Sequence, residues 1–291
     1  MLHDTVAVII PSVNRPRTLH ETLLSVLRQR RLPGQIILSV PDEDDVLPET
    51  RALSGVSVIH CGLGLTRQRN GAVDALAPAI KLVAFIDDDV ELHEAYLEHV
   101  ARVFQEQPEV VLVDGRVLAD GRDISRARAR EIVAAAGAAE SRRVRAIGPD
   151  LAYGCNMTVR RSVLAGARFD ERLPLYGYME DRDFAFQCTR LGHLVRCEGA
   201  MLVHLRPSGG RISARRLGFS QIMNPVYLWR KGNYLSWRNV AWQVSRPLLI
   251  NTALALAPGQ KARRLSLLAG NCRAFSSILR GHIAPEDITR L

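Results

Sequence analysis

The sequence predicts an α/β protein, with a Rossmann-type, mostly parallel sheet flanked by helices and a mainly helical C-terminal segment. Three observations carry this. Short β-branched runs alternate with amphipathic stretches at intervals that fit βαβ crossovers. Polar clusters follow the first, second and fourth runs, where the carboxyl ends of parallel strands leave a crevice for a ligand. Beyond about residue 205 the alternation stops, which sets the expected division at residues 1–205 and 206–291.

Val6 to Ile10 is a continuous apolar run ending at Pro11, the pattern of a strand buried on both faces. Thr18 and Glu21 stand three apart as a capping box. Leu19, Leu23, Val26 and Leu27 then recur at helical spacing, so a helix is expected to about Arg30. Gln35 to Val40 and Val56 to His60 read as the second and third strands. A helix is expected from about Arg67 to Leu76, ended by Pro78. Leu82 to Ile86 is the fourth strand and leads into Asp87-Asp88-Asp89. A helix over Tyr96 to Gln105 and a strand over Val110 to Val113 follow. Residues 120–146, rich in Arg and Ala, read as a surface helix or a mobile loop.

With 291 residues, 47% of them apolar, the chain can bury a large core, which argues against disorder. The acid at Asp4 and the short apolar run after it do not read as a secretory signal. Five cysteines without a C-x-x-C pair argue against a disulfide framework or zinc knuckle, and fit a cytoplasmic protein. The net charge of +9 is unevenly placed: no Asp or Glu occurs from Gly199 to Pro285, where 13 Lys and Arg fall. The rest carries 26 basic against 30 acidic residues, so a slightly acidic body is joined to a basic tail. Such asymmetry points to an anionic partner: phospholipid head groups, a pyrophosphate or nucleic acid. Val240 to Ala257 is the most apolar stretch of the tail, but Gln243, Arg246, Pro247 and Asn251 interrupt it. It is expected to lie in a membrane interface, or to be buried on the body, but not to span a bilayer.

Two acidic clusters are the candidate chemistry. Three adjacent carboxylates at the end of a buried strand repel one another, and a hard divalent cation, Mg²⁺ or Mn²⁺, relieves that cost. Alone they also suit a solvated turn, a phosphatase, a nucleotidyltransferase or a calcium loop. The second cluster, Glu180-Asp181-Arg182-Asp183, opens a helix whose dipole favours acids. The approach Leu175-Tyr-Gly-Tyr178 brings backbone close to a ligand, and a carboxylate there can act as a general base. Gly62-Leu-Gly-Leu-Thr-Arg-Gln-Arg-Asn-Gly71 places glycines and two arginines at a helix start, where amides and guanidinium can hold phosphate. Gly154-Cys-Asn156-Met157 reads as an acceptor-side turn, and His204 as a structural residue or a metal ligand.

Taken in order, Ile10-Pro-Ser-Val-Asn14, Arg69-Asn70, Asp87-Asp-Asp89, Gly154-Cys-Asn-Met157, Glu180-Asp181 and His204 resemble glycosyltransferase family 2, the inverting family with the GT-A fold. The resemblance covers roughly residues 5–210. It implies a GT-A-like, nucleotide-sugar-binding catalytic domain over 1–205. Pro11, Asn14, Asp42, Arg69, Asn70, Asp87 and Asp88 would meet the nucleotide sugar, and Asp89 and His204 the metal. Gly154, Asn156 and Met157 would face the acceptor, and Asp181, assisted by Glu180, would be the catalytic base. Pro41 stands where the family usually has the first aspartate of an Asp-Asp-Gly segment, leaving Asp42 as the second.

The function implied is metal-dependent, inverting transfer of a sugar from a nucleotide diphosphate to a hydroxyl acceptor, in polysaccharide or glycolipid biosynthesis. The acceptor would be a glycan or a lipid-linked sugar. The expected setting is the cytoplasm, with peripheral attachment to the inner face of the plasma membrane through the basic segment 206–291. The rivals are a nucleotidyltransferase acting on sugar phosphates and a nucleic-acid-binding module that stacks bases on Trp229, Trp237 and Trp242.

Overall fold

The computed structural model describes residues 6–137, 142–207, 212–232, 235–255 and 259–291. The chain divides into two compact bodies. One comprises Met1–Leu63, Arg67–Phe169 and Phe184–Gly210; the other comprises Gly64–Thr66, Asp170–Asp183 and Arg211–Leu291.

The strands of the first body are, in chain order, β1 (Val6–Pro11), β2 (Gln35–Val40), β3 (Val56–His60), β4 (Leu82–Ile86), β5 (Val90–Leu92), β6 (Val110–Asp120), β7 (Val144–Ala146), β8 (Asn156–Arg160) and β9 (His193–His204). They form one sheet in the order β3-β2-β1-β4-β8-β6-β9-β5, with β7 also paired to β9. The wing β3-β2-β1-β4 is parallel throughout. In the other wing β8 runs antiparallel to both β4 and β6, β6 and β9 are parallel, and β5 is antiparallel to β9. The helices are α1 (Pro16–Leu27), α2 (Pro48–Arg51), α3 (Leu65–Asp74), α4 (Tyr96–Glu106), α5 (Arg126–Ala135), α6 (Glu180–Thr189), α7 (Ala214–Arg230), α8 (Trp237–Ala255) and α9 (Lys261–Leu279).

Strand alternation builds a core on each face of the sheet. Val6, Val8 and Ile10 of β1 and Leu82, Ala84 and Ile86 of β4 join α1 and α4 on one side. Ala7, Ile9, Val83 and Phe85 point the other way, to Ala72, Val73, Phe169 and Phe184. Both faces of these central strands are therefore apolar, and their polar neighbours collect at the strand ends.

Several local expectations need correction. Helix α1 starts at Pro16, not at Thr18, and no side chain caps it, so the Thr18–Glu21 capping box does not form. Proline at the first helical position already supplies the start, because its φ is preset and its missing N–H would have no partner there. Asn156 and Met157, expected in an acceptor-side turn over 154–157, instead begin β8 in the middle of the sheet. Strand β6 runs on to Asp120, well past Val113. The segment 120–146 contains α5 and β7, while residues 138–141 lie outside the described residues.

Asn156 ties β8 to its neighbours. Its Oδ1 accepts from the Gly115 amide at 2.5 Å and from the Tyr96 hydroxyl at 3.2 Å, and all three groups are buried. A Cβ on Gly115 would lie 2.6 Å from both Asn156 Oδ1 and the Ala200 carbonyl oxygen, which is why a glycine stands there.

In the second body α7 and α9 meet backbone to backbone. A Cβ on Gly218 would lie 2.0 Å from the Leu267 carbonyl oxygen, and one on Gly270 would lie 2.0 Å from that of Arg215. Phe219, Ile222, Met223, Ala274 and Ile288 fill the core beside this contact. Buried Asn271 donates to the Gly218 carbonyl at 2.7 Å, satisfying a polar group at the crossing.

Asn156→Ala should destabilise the fold by about 1–3 kcal/mol, because it leaves the buried Gly115 amide without its acceptor, while the Tyr96 hydroxyl keeps the Asn156 carbonyl at 2.8 Å. Urea unfolding measures this, and a loss below about 0.5 kcal/mol contradicts the assigned role.

Candidate active site

The site begins where β4 ends. Ile86 is the last buried apolar residue, and Asp87, Asp88 and Asp89 follow at the carboxyl end of the central strand. Each carboxylate meets a different element. Asp87 Oδ1 accepts from Arg69 Nη2 at 2.9 Å, and the same nitrogen donates to the Gly154 carbonyl at 2.7 Å. Arg69 is 0% exposed, a guanidinium sunk beneath the site and packed 5.0 Å from the Phe169 ring. Asp88 turns inward: Oδ2 accepts from Ser12 Oγ at 2.5 Å and Oδ1 from Arg15 Nη1 at 2.9 Å. Asp89 Oδ2 takes the same Arg15 nitrogen at 3.2 Å, and Oδ1 lies 3.0 Å from His204 Nε2.

His204 reaches Asp89 through strand register. Val90 pairs with His204 across β5 and β9, and Asp120 pairs with it across β6 and β9. The imidazole Nδ1 lies 2.9 Å from the Tyr153 hydroxyl and 3.4 Å from Asp120. Tyr153 lies 2.9 Å from Asp120 Oδ2 and accepts from Arg206 at 2.6 Å, and Arg206 pairs with Asp120 at 2.7 Å. This shell fixes the ring and leaves Nε2 aimed at Asp89.

The electrostatics follow from burial. Desolvation, with Asp89 alongside, raises Asp88 to about 7 against the pull of Arg15 and Ser12. Asp87 is also raised, first by burial, although Arg69 opposes it. Burial alone would lower His204, but hydrogen bonds to Asp120 and Asp89 outweigh it and hold the imidazole up to about 9.

One ligand atom each from Asp87, Asp89 and His204 lies within 4.8 Å of the others. Two carboxylates and an imidazole fit a divalent ion that accepts both oxygen and nitrogen. Nδ1 held by Tyr153 and Asp120 is the outer-shell support such a ligand needs.

Beside this cluster, at the ends of β1 and β2, a cleft of about 520 Å³ is lined by Asn14, Pro16, Asp42, Glu43, Asp44 and Asp45. Asn14 adopts a left-handed φ of 55°, and its amide donates to buried Asp45. Asp42 is exposed on the rim, and Pro11 is buried as the last residue of β1.

Other residues expected at the site are engaged within the protein. Asn70 clamps the Phe169 backbone, donating to its carbonyl at 2.9 Å and accepting from its amide at 3.2 Å. Asn156 and Met157, expected on the acceptor side, are fully buried in β8, and the Gly154 carbonyl accepts from Arg69. At the α3 start the Leu65 amide donates to the Leu175 carbonyl at 2.8 Å.

The second acidic cluster lies at the start of α6. Leu175, Gly177 and Met179 all have left-handed φ angles, of 60°, 64° and 71°. Two of the three are not glycine, a strain that marks functional turns. Asp183 is buried and held by Lys231 Nζ at 2.9 Å. Glu180 is buried, whereas Asp181 is half-buried and accepts from the Arg182 amide at 2.8 Å.

Sequence reasoning missed Ser12, Arg15, Asp45, Asp120, Tyr153 and Arg206. Arg15 and Tyr153 adjoin segments already singled out; Asp120 and Arg206 come into place through the register of β6 and β9.

Among solved structures, S. aureus TarS residues 1–349 matches at 12% identity and a TM-score of 0.55, covering 96% of this chain and 83% of that one. The mannosyltransferase PcManGT from Pyrobaculum calidifontis, in complex with GDP-Man and Mn²⁺, matches at 15% identity and a TM-score of 0.54, covering 93% and 86%. Glucosyl-3-phosphoglycerate synthase from Mycobacterium tuberculosis, in complex with Mn²⁺, UDP and glucosyl-3-phosphoglycerate, matches at 19% and 0.53, covering 80% and 82%. At these identities the likeness is one of fold, the GT-A-like sheet. No curated protein matches significantly. The family model described as glycosyl transferase family 2 matches residues 7–166, more than half of the chain, and the protein therefore belongs to that family and is a glycosyltransferase.

Proposed function

We propose that this glycosyltransferase moves a sugar, with inversion, from a nucleotide diphosphate to a hydroxyl of a glycan or lipid-linked sugar, using Mn²⁺ or Mg²⁺. The observation that carries the reading is the convergence of Asp87, Asp89 and His204 beyond the carboxyl end of β4. The Mn²⁺ and nucleotides in the complexes of PcManGT and glucosyl-3-phosphoglycerate synthase support it. The imidazole favours Mn²⁺, since Mg²⁺ prefers an all-oxygen shell. When bound, the ion supplies positive charge against the departing diphosphate.

The chain's own groups divide the remaining work. The cleft lined by Asp42 to Asp45 accepts hydrogen bonds from base and ribose and repels phosphate, which directs the diphosphate toward the metal ligands. Arg15, spanning Asp88 and Asp89, is a fixed cation beside the cluster for that charge. Asp181 is the proposed base, taking the acceptor's proton as its oxygen attacks the anomeric carbon from the face opposite the leaving group. It is favoured because it is half-buried, whereas Glu180 and Asp183 are buried. Residues 1–205 are the proposed catalytic domain and 206–291 the appended segment, working at the inner face of the plasma membrane.

A screen of nucleoside diphosphates by thermal unfolding should give a Mn²⁺-dependent rise for one base. At about a hundred times Kd this amounts to about 2.7 kcal/mol. Asp89→Ala and His204→Ala should abolish the metal-dependent part; an equal rise without metal, or in either variant, refutes the site.

Mn²⁺ affinity should also depend on pH. His204 carries a proton up to about pH 9, so below that value each bound ion must displace about one proton. Affinity should therefore rise about tenfold per unit between roughly pH 6.5 and 8.5, and level off above 9. Calorimetric titration at several pH values tests this, and a flat profile in the wild-type protein contradicts it.

Asp181→Asn should retain donor binding and lose about 10²- to 10⁴-fold in turnover. Near-normal turnover would remove Asp181 from the role.

A further inference from the structure

The chain contains three tryptophans, and all lie in its acid-free stretch and are exposed: Trp229 by 46%, Trp237 by 65% and Trp242 by 64%. Tryptophan is rarely left open to water without a reason, since its ring is the largest apolar surface a side chain offers. Helix α8 shows how two of them are displayed. One side of it is buried, with Asn251 and Ala255 innermost and Val240 and Val244 packed on neighbouring cores.

The opposite side runs Arg238, Trp242, Arg246, Leu249 and Ala253, at spacings of three and four that keep them on one face, and all five are exposed. Leu249 is 68% exposed and Ile250, beside it, 40%. The helix thus carries an apolar stripe of Trp242, Leu249, Ile250 and Ala253 with Arg238 and Arg246 along it, and has no acid anywhere in its length.

We infer that this face of α8 is a membrane-docking surface, lying flat in the interface of a bilayer that contains anionic lipid. Charge selects the occupant. The face is cationic, and the segment around it contains 13 Lys and Arg with no Asp or Glu from 199 to 285, so it repels a basic partner and needs an anionic one. Shape and polarity select a bilayer. Indole rings prefer the headgroup level, arginine reaches from there to phosphate, and Leu249 and Ile250 enter the acyl boundary. The helix cannot cross instead: among the described residues none is long and apolar enough, and Arg246, Pro247 and Asn251 interrupt α8. This inference rests on the membrane setting proposed above and names the element and lipid class that create it.

The test uses the full chain and two sets of vesicles, phosphatidylcholine alone and phosphatidylcholine with about 30% phosphatidylglycerol. The protein should pellet with the second and not the first, its tryptophan emission should shift to the blue, and salt should release it. Trp242→Ala with Leu249→Ser should lower the partition coefficient at least tenfold. Arg238→Gln and Arg246→Gln should each lower it about fivefold. Both sets are checked for an unchanged melting midpoint; if the apolar pair fails that check, the arginine pair decides. No pelleting with anionic vesicles overturns the proposal, as does pelleting indifferent to these residues. A single-stranded oligonucleotide that shifts the emission and competes with vesicles would assign the face to nucleic acid instead. A dimer lost on Trp242→Ala would assign it to a second copy. No nucleotide or sugar enters the assay, so its failure would leave the donor-binding reading standing, and the reverse also holds.

Discussion

The site depends on the cost of placing three adjacent carboxylates at the buried end of the central strand. Like charges in a poorly solvated position repel strongly, and the fold answers with a counter-charge from a separate element for each. Arg69 rises from α3 beneath Asp87, Arg15 comes from the turn before α1 to Asp88 and Asp89, and His204 arrives at Asp89 from the last residue of β9. These groups lie far apart in sequence and meet only when β1, β4 and β9 take their places in one sheet. Assembly of the sheet and assembly of the site are one event. A chain lacking any of these cations would have to protonate or expel a carboxylate.

Much of this was legible in the sequence. The parallel wing was readable because its strands are buried on both faces, so that Val6–Ile10 and Leu82–Ile86 stand out as apolar runs ending in polar clusters. The residues taken for metal ligands, Asp89 and His204, could be named from family resemblance, and the structure adds Asp87 beside them. What failed to show were features set by register. Strand β8 hides because antiparallel insertion between β4 and β6 needs no local periodicity, only partners. For the same reason Asn156 reads as part of an acceptor-side turn although it is the polar tie of the sheet's interior. Asp120 and Tyr153 could not have been chosen beforehand, since their value lies in touching the back of the His204 ring. Arg15 was passed over because one arginine between Asn14 and Pro16 carries no pattern.

Family membership removes the nucleotidyltransferase reading. The helical body presents a different kind of economy. The α7–α9 contact is so close that glycine is required at both crossing points, and a buried asparagine satisfies the backbone there. That packing leaves α8 with one committed face, and the sequence fills its other face with arginine, tryptophan and leucine.

The missing acids have one more effect. From Arg206 to Gly281 neither a carboxylate nor an imidazole exists to take up a proton when the surroundings turn acidic, and guanidinium and ammonium groups stay ionised through the range in which proteins remain folded. The positive potential of this stretch is therefore a constant of the molecule, indifferent to cellular acidity. Only the ionic atmosphere around it, or a change in the anion it faces, can turn its attraction up or down.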